Sequence, residues 1–170
     1  MNEEVKRLLN EQINKELYSS YLYLSMADYY DYNNLDGFAN WFYIQAQEEV
    51  DHAMLLRRYL LNNGEAIELE AIAKPDLVFN SFKDPLVGAY EHELFVTASI
   101  NNIYEKAASV KDYRTMQFLD WFIQEQMEEE KNTDELIRKY ELYAEESKGL
   151  YQLNQEFGAR VYAPPTLVLD

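Results

Sequence analysis

One spacing of acidic, amide and imidazole side chains occurs twice in this 170-residue chain, once in each half. The repeated residues are, in order, Glu16, Glu49 and His52, then Glu93, Gln126 and Glu129. In each half the second residue follows the first by 33 positions and the third by 36. If each half is a helical hairpin that turns near Asn34 or Lys111, all six lie roughly 23 to 27 Å from their turn. The spacing therefore predicts a four-helix bundle in which the six side chains meet at one level, as a two-metal site requires.

Length and composition are consistent with one domain that spans residues 1–170, and the repeated spacing predicts that it is all-α. Hydrophobic residues make up 48% of the chain and aromatic residues 15%, which argues against disorder. Cys is absent, so disulfides, thiolate metal sites and a cysteine nucleophile are excluded. Any metal ion must be held by carboxylate, imidazole or amide groups.

Charge narrows the range of partners. The formal net charge of −16 disfavours nucleic acid and anionic membranes as partners and favours cations. The N-terminal segment has no apolar run suited to a signal peptide, and no stretch approaches the length of a membrane span. We therefore expect a cytoplasmic location and no membrane partner.

Apolar side chains recur at three- and four-residue steps in the first half of the chain, which predicts two long helices. The first covers residues 2–32, and its inner stripe includes Ser20 and Glu16. The second covers residues 36–63 and ends at Gly64.

The second half repeats this pattern after a long connection at residues 64–83. Such a connection can run the length of a bundle, which predicts that helices two and three are parallel. The third helix is predicted to begin with Asp84 as its N-cap and Pro85 in its first turn. Asp112 is predicted to cap the fourth helix, whose inner stripe includes Ile123.

A shorter amphipathic segment follows the bundle, which ends near residue 145. It predicts a fifth helix over residues 148–161, followed by a tail at 162–170 that contains two prolines. A four-helix bundle does not need a fifth helix, so we expect this one to pack elsewhere, for example on another subunit.

The inner carboxylates require a positive partner. Four ionised carboxylates in a bundle core would repel each other strongly, and no Lys or Arg is predicted at their level. Two divalent cations would cancel that charge, and an oxygen-rich set with one imidazole suits iron or manganese. The E-x-x-H step places Glu49 and His52 on one face, so Glu49 can bridge two ions while His52 binds one.

Residues beside this set carry secondary predictions. Neighbouring glutamates could hold a third, weaker ion: Glu48, Glu125 and Glu128. Glu130 is predicted to lie on an exposed helix edge. His92 is one step off the Glu93 face and is expected near the ligands or at the surface. Tyr23 is either a plain core residue or a donor of a hydrogen bond or an electron near the metals.

Several motifs in order carry a family resemblance. They are L-N-E-Q-I-N-K-E-L-Y-S-S-Y-L-Y-L-S-M at 9–26, E-E-V-D-H at 48–52, Y-E-H-E at 90–93, W-F-I-Q-E-Q-M-E-E-E at 121–130 and G-L-Y at 149–151. Over nearly its whole length the chain resembles the non-haem ferritins of bacteria and archaea. The resemblance implies the ferritin-like four-helix bundle with a long crossover and a short fifth helix.

The resemblance also implies function. It implies a ferroxidase that oxidises Fe(II) with dioxygen or hydrogen peroxide and stores ferric mineral in a hollow homo-oligomeric cage of about twenty-four subunits. The implied first iron site is Glu16, Glu49 and His52, and the second is Glu93, Glu129 and the shared Glu49, with Gln126 beside them. The implied third iron site is Glu48, Glu125, Glu128 and Glu129. Tyr23 matches a tyrosine that lies next to the centre in this family.

The chain differs from the family's usual sequence at two places, and two functions other than a storage ferroxidase remain as alternatives. Met127 stands where many bacterial relatives have histidine, and the tail Y-A-P-P-T-L-V-L-D is unlike the family's usual ends. Haem-containing relatives would have a second E-x-x-H on the fourth helix and methionine in place of Val50, so we expect no haem. A rubrerythrin-like di-iron oxidase or peroxidase would need that second E-x-x-H and cysteine-bound iron. A catalytically silent shell subunit is disfavoured because all six candidate ligands are present.

Overall fold

The computed structural model describes residues 1–169 and contains five α-helices and no strand in that range. The helices are α1 (Glu3–Tyr32), α2 (Asp36–Asn62), α3 (Asp84–Ser109), α4 (Tyr113–Tyr143) and α5 (Ser147–Gly158). The four long helices agree with the predicted ranges to within a few residues. The fifth ends at Gly158 rather than at residue 161, and the last residues of its predicted range belong to the tail. No helix in the described range is long and apolar enough to cross a membrane.

Each of the two hairpin turns contains one non-glycine residue in the left-handed backbone conformation. Asn34 and Lys111 each have φ of +59°, the left-handed conformation that lets a helix stop within a short turn. These are the two turn positions, and each candidate ligand lies 15 or 18 residues from the turn of its own hairpin. Asp112 caps α4 as predicted, because its side chain accepts a hydrogen bond from the Thr115 amide at 3.1 Å.

The start of α3 differs from the prediction. Asp84 is the first helical residue, and Lys83 occupies the N-cap position without a side-chain cap. The Asp84 carboxylate instead accepts hydrogen bonds from the amides of Asn80 and Ser81, at 2.7 and 3.0 Å. It therefore fixes the turn that leads into the helix, while Pro85 occupies the first turn as expected.

The long connection between α2 and α3 runs along α1. Asn10 exchanges two hydrogen bonds with the backbone of Glu68, and the Tyr30 hydroxyl donates to the Phe82 carbonyl at 2.6 Å. The connection thus travels the length of α1 in the direction of α1, so α3 begins at the end of the bundle where α2 began. Helices α2 and α3 are parallel, as the length of the connection predicted.

Two apolar clusters fill the bundle on either side of the candidate ligands. Val5, Leu9 and Ile100 belong to one cluster, and Tyr30 and Phe38 belong to the other. The predicted inner stripes miss the buried position by one residue at Ser20 and at Ile123. Ser19 is buried instead of Ser20, which is only partly buried and donates to the Ala46 carbonyl, and Phe122 is buried instead of Ile123.

The fifth helix packs on its own chain, contrary to the expectation that it would pack elsewhere. Phe157 contacts Phe38 of α2 edge to face, with 4.7 Å between ring centroids. The buried Asn154 accepts hydrogen bonds from the amides of Gly37 and Phe38, at 2.8 and 3.2 Å. Since α2 has no cap from its own preceding residue, Asn154 supplies one from a distant part of the chain.

Gly37→Ala is expected to lower the thermal stability of the subunit, because a Cβ at this position would lie 1.6 Å from the Asn154 carbonyl oxygen. Overpacking of this kind costs about 1–3 kcal/mol, and backbone offers less relief than a side chain. Thermal unfolding followed by circular dichroism measures the effect. Gly64→Ala is the comparison, since it has a positive φ but no atom within 4 Å of a new Cβ. Equal losses in both variants would show that the α5 contact is unimportant.

Candidate metal centre

All six predicted ligands are buried at one level of the bundle. Their exposed fractions lie between 1% and 4%. Helix α1 contributes Glu16, α2 contributes Glu49 and His52, α3 contributes Glu93, and α4 contributes Gln126 and Glu129. The spacing that repeats in the sequence therefore places its members together in the fold.

Glu16 is held by a chain of polar contacts from one side only. Gln12, one turn earlier on α1, donates to Glu16 Oε1 at 2.9 Å, and Ser99 donates to Gln12 Oε1 at 2.6 Å. Glu16 Oε2 has no hydrogen-bond partner, although it is fully buried. An unpartnered buried carboxylate oxygen is costly, and it marks a position where a cation would be stabilised.

Glu49 and His52 form the other part of this cluster. His52 Nδ1 lies 3.3 Å from Glu49 Oε2, and Gln45 donates to Glu49 Oε1 at 3.2 Å. One ligand atom from each of Glu16, Glu49 and His52 lies within 4.8 Å of the other two. These distances allow one ion to contact all three side chains.

The carboxylates on α3 and α4 are oriented by neutral donors. The Tyr23 hydroxyl donates to Glu93 Oε1, and Gln126 donates to Glu93 Oε2 at 3.0 Å. Gln45 also donates to Glu129 Oε2 at 2.8 Å. Tyr23 is completely buried and contacts a ligand directly, so the structure supports its hydrogen-bonding role rather than a plain core role.

The charges of the metal-free centre are unequal. Burial, with the nearby Glu49 carboxylate, raises the pKa of Glu16 to about 8 and that of Glu93 to about 8. Burial and the charges of Glu93 and Glu49 hold the pKa of Glu129 well above its usual range. At neutral pH Glu16 and Glu93 therefore hold protons that a bound metal ion must displace.

Glu49 and His52 carry the remaining charges. Burial alone would lower the pKa of His52, but Glu49 and Glu16 outweigh it and raise that pKa to about 10. Burial alone would raise the pKa of Glu49, but His52 and the hydrogen bond from Gln45 bring it below the usual value. Without metal the centre thus contains one ion pair, in which the imidazolium takes the place that a cation would fill.

Comparison with known proteins agrees with this geometry. The family model for the ferritin-like domain matches residues 6–143. A bacterial non-heme ferritin of Campylobacter jejuni is 42% identical over 91% of this chain and 93% of its own length. A bacterial non-heme ferritin of Staphylococcus aureus is 33% identical over 95% of this chain and 98% of its own length.

The chain belongs to the ferritin family. Solved structures support the assignment: an open-pore ferritin from the hyperthermophilic archaeon Archaeoglobus fulgidus has a TM-score of 0.92 at 38% identity, over 95% of this chain and 98% of the other. A humanized archaeal ferritin has a TM-score of 0.94 at 40% identity, over 96% of this chain and 99% of the other. The predicted fold, family and iron-storage role are confirmed.

The residues predicted for a third ion in this ferritin, Glu48, Glu125, Glu128 and Glu129, line one cavity beside the centre together with His52. Glu125 Oε1 lies 4.0 Å from His52 Nε2, and one ligand atom of each lies within 4.8 Å of one from Glu129. Glu48 is turned toward Arg160 of the tail, with 2.5 Å between Glu48 Oε2 and Arg160 Nη2. Glu128 is exposed.

The structure also places His92 and Glu130, for which separate predictions were made from the sequence. His92 is partly buried, and its Nε2 lies 2.7 Å from the Ser19 hydroxyl, so it is a neighbour of the centre rather than a ligand. Its ring contacts the edge of Tyr23 at 5.9 Å between centroids. Glu130 was wrongly predicted to lie on an exposed edge, because it is partly buried and accepts a hydrogen bond from Thr97 at 2.6 Å.

The residues that orient the ligands were not predicted from the sequence. Gln12 and Gln45 each lie four positions before a ligand glutamate, a spacing that puts two side chains on one helix face. That repeated step was visible in the sequence and could have identified both. Arg160 carried no such signal, because it lies outside the bundle and reaches the site only through the docking of α5.

Proposed function

We propose that this ferritin oxidises Fe(II) at the Glu16–Glu129 centre and stores the ferric product in a hollow cage built from copies of the chain. The observation that carries the proposal is the buried cluster of Glu16, Glu49 and His52, with the free Oε2 of Glu16 inside it. A purely structural bundle would gain nothing from burying these groups, since each costs free energy without a cation.

Each ligand has a distinct role in the proposed reaction. The first Fe(II) binds Glu16, Glu49 and His52, and the second binds Glu93, Glu129 and the shared Glu49. Together the four carboxylates carry four negative charges, which two Fe(II) ions balance. Binding displaces the protons that the carboxyl groups and the His52 imidazolium hold, because each of these groups must be deprotonated to contact an ion.

The redox step needs two electrons. Each Fe(II) gives one electron, and dioxygen takes both with two protons from water to form hydrogen peroxide. Hydrogen peroxide as oxidant would take two electrons and two protons to form two water molecules. The chain positions the two ions and excludes bulk water from them, because every ligand is at least nine-tenths buried.

Gln126 is expected to weaken the binding of ferric ion at its position in the centre. It contributes a neutral amide where a glutamate or histidine would hold a ferric ion more firmly, and its Nε2 is engaged with Glu93. Oxidised iron is therefore expected to leave the centre for the mineral. Release of product distinguishes this proposal from a rubrerythrin-like oxidase, which retains its iron as a cofactor.

Repeated additions of Fe(II) test the proposal. Iron-free protein receives two Fe(II) per subunit without oxygen, is then mixed rapidly with oxygen, and is followed through ferric absorbance over several cycles. We expect fast oxidation that recovers after each addition, with the iron remaining soluble and co-eluting with protein. One turnover with permanently retained iron would favour the di-iron oxidase, and a rate equal to that of free Fe(II) would leave a silent shell.

The proposed assembly is a homo-oligomer of about twenty-four subunits. The connection between α2 and α3 supports an interface, because it exposes Leu69 and Val78 to 68% and 77%. Analytical ultracentrifugation of the iron-free protein measures the particle mass, and a monomer would contradict the cage. A cytoplasmic location and the lack of haem also remain proposals, and the haem absorption band of the purified protein tests the second.

A further inference from the structure

The C-terminal tail brings a fixed cation to the edge of the metal centre. Arg160 lies just beyond α5, and its guanidinium stacks on the Trp41 ring at 4.2 Å from the centroid. Arg160 Nη1 donates to the Trp41 carbonyl at 3.0 Å. The tail then continues across α2 and α4, where Tyr162 donates to Asp51 at 2.6 Å and Trp121 donates to Thr166 at 2.8 Å.

The guanidinium also holds Gln45, a fully buried residue of α2. Both terminal nitrogens of Arg160 donate to Gln45 Oε1 at 3.0 Å. This contact fixes which end of the amide is the oxygen, so Gln45 Nε2 must face Glu49 and Glu129, to which it donates. A planar guanidinium whose two terminal nitrogens converge on one oxygen sets this geometry, whereas the single nitrogen of an ammonium would not.

The same guanidinium neutralises Glu48. The Glu48 side chain is about four-fifths buried and forms its ion pair with Arg160. Beside this pair lies a cavity of about 280 Å³ whose lining includes Glu48, His52, Glu125 and Pro164. A divalent cation that used Glu48 Oε2 as a ligand would have to displace Arg160 from that oxygen.

We propose that Arg160 is a positioning residue for the metal centre: it orients Glu49 and Glu129 through Gln45, and it competes with any further cation for Glu48. This inference rests on the proposed function in that the Glu16–Glu129 set binds two ions. It goes beyond that function by linking the tail to the number of ions bound and to their coordination.

Anaerobic titration with Co(II) tests both parts without relying on oxidation. Isothermal calorimetry counts the ions, and the visible absorption bands of Co(II) report their coordination. In the wild-type protein we expect two ions to bind tightly and a third to bind weakly. In Arg160→Gln we expect the third ion to bind at least about tenfold more tightly, because a charged competitor is gone. We also expect the bands of the first two ions to change.

Arg160→Lys separates the two roles. Lysine retains a positive charge for Glu48, so binding of the third ion should stay within about threefold of the wild type. It cannot donate to Gln45 Oε1 from two nitrogens at once, so the bands of the first two ions should change as they do in Arg160→Gln. The control is Arg138→Gln, which removes an exposed arginine paired with Asp134 on α4 and should change neither readout.

Each part of the proposal can fail separately. Unchanged binding of the third ion in Arg160→Gln would overturn the competition, and the gain must also disappear when Glu48→Gln is added. Unchanged bands of the first two ions in both Arg160 variants would overturn the positioning role. Crystals of the wild-type chain with two Co(II) per subunit give an independent check, since Arg160 must still contact Gln45. If the wild type failed to bind two ions, the proposed function would fail instead.

Discussion

Glu49→Gln is expected to lower the initial rate of Fe(II) oxidation by at least about 100-fold. Loss of a group that only supports a metal ligand already costs 10- to 100-fold, and Glu49 is proposed to bind both ions. The substitution preserves the shape of the side chain but removes the charge that both ions share. Stopped-flow absorbance at two Fe(II) per subunit measures the rate, with Glu105→Gln, an exposed glutamate on α3, as the matched control.

Two further variants remove ligands of the proposed first iron site. Glu16→Ala and His52→Ala should also slow oxidation greatly while the helical circular dichroism signal is retained, because the apolar clusters on either side are untouched. Their Fe(II) affinity, measured without oxygen, should fall in parallel with the rate. Unchanged initial rates in both variants would refute the assignment of the first iron site.

The iron-free protein is expected to become less stable as pH rises from about 5 to 9. Glu16 and Glu93 have folded-state pKa values of about 8, above the ordinary value of 4.5. Their contribution to stability is complete below pH 4.5 and is lost as pH rises through 8, because the folded state binds the protons more tightly. Each pKa unit corresponds to about 1.4 kcal/mol, so the loss amounts to several kcal/mol.

His52 changes stability in the same direction. Its pKa is raised from 6.5 to about 10, so its contribution is complete below pH 6.5 and is lost as pH rises through 10. Melting temperatures at fixed protein concentration, taken across this range, measure the combined effect. Adding Co(II) at pH 8 should restore stability, by about 2.7 kcal/mol for each ion present at 100 times its dissociation constant.

A matched variant isolates the centre from the general effect of net charge. The double substitution Glu16→Gln with Glu93→Gln replaces both titrating carboxyl groups by amides that stay neutral. Its melting temperature should depend less on pH between 5 and 9 than that of the wild type, and Co(II) should no longer raise it. Parallel curves for the two proteins would show that the metal centre does not control the pH dependence.

Much of the bundle could be predicted from the sequence because each helix is indicated by a pattern of neighbouring residues. The periodicity of apolar residues depends only on 3.6 residues per turn, so the four long helices are predicted within a few residues of their ends. The one-residue errors at Ser20 and Ile123 arise because a stripe several residues wide does not define which member points inward. Asp84 was assigned the wrong role because its hydrogen-bond partners precede it in the chain.

The sequence by itself determined the helices, the parallel arrangement of α2 and α3, and the level at which the six candidate ligands meet, because two hairpins with equal arms leave little freedom. Only the tertiary structure decided that α5 caps α2 through Asn154 and that Arg160 reaches Gln45 and Glu48. Only the structure showed that Glu16 Oε2 has no partner. These features depend on contacts between residues more than 100 positions apart or on the exact direction of a buried side chain, and no periodic pattern encodes either.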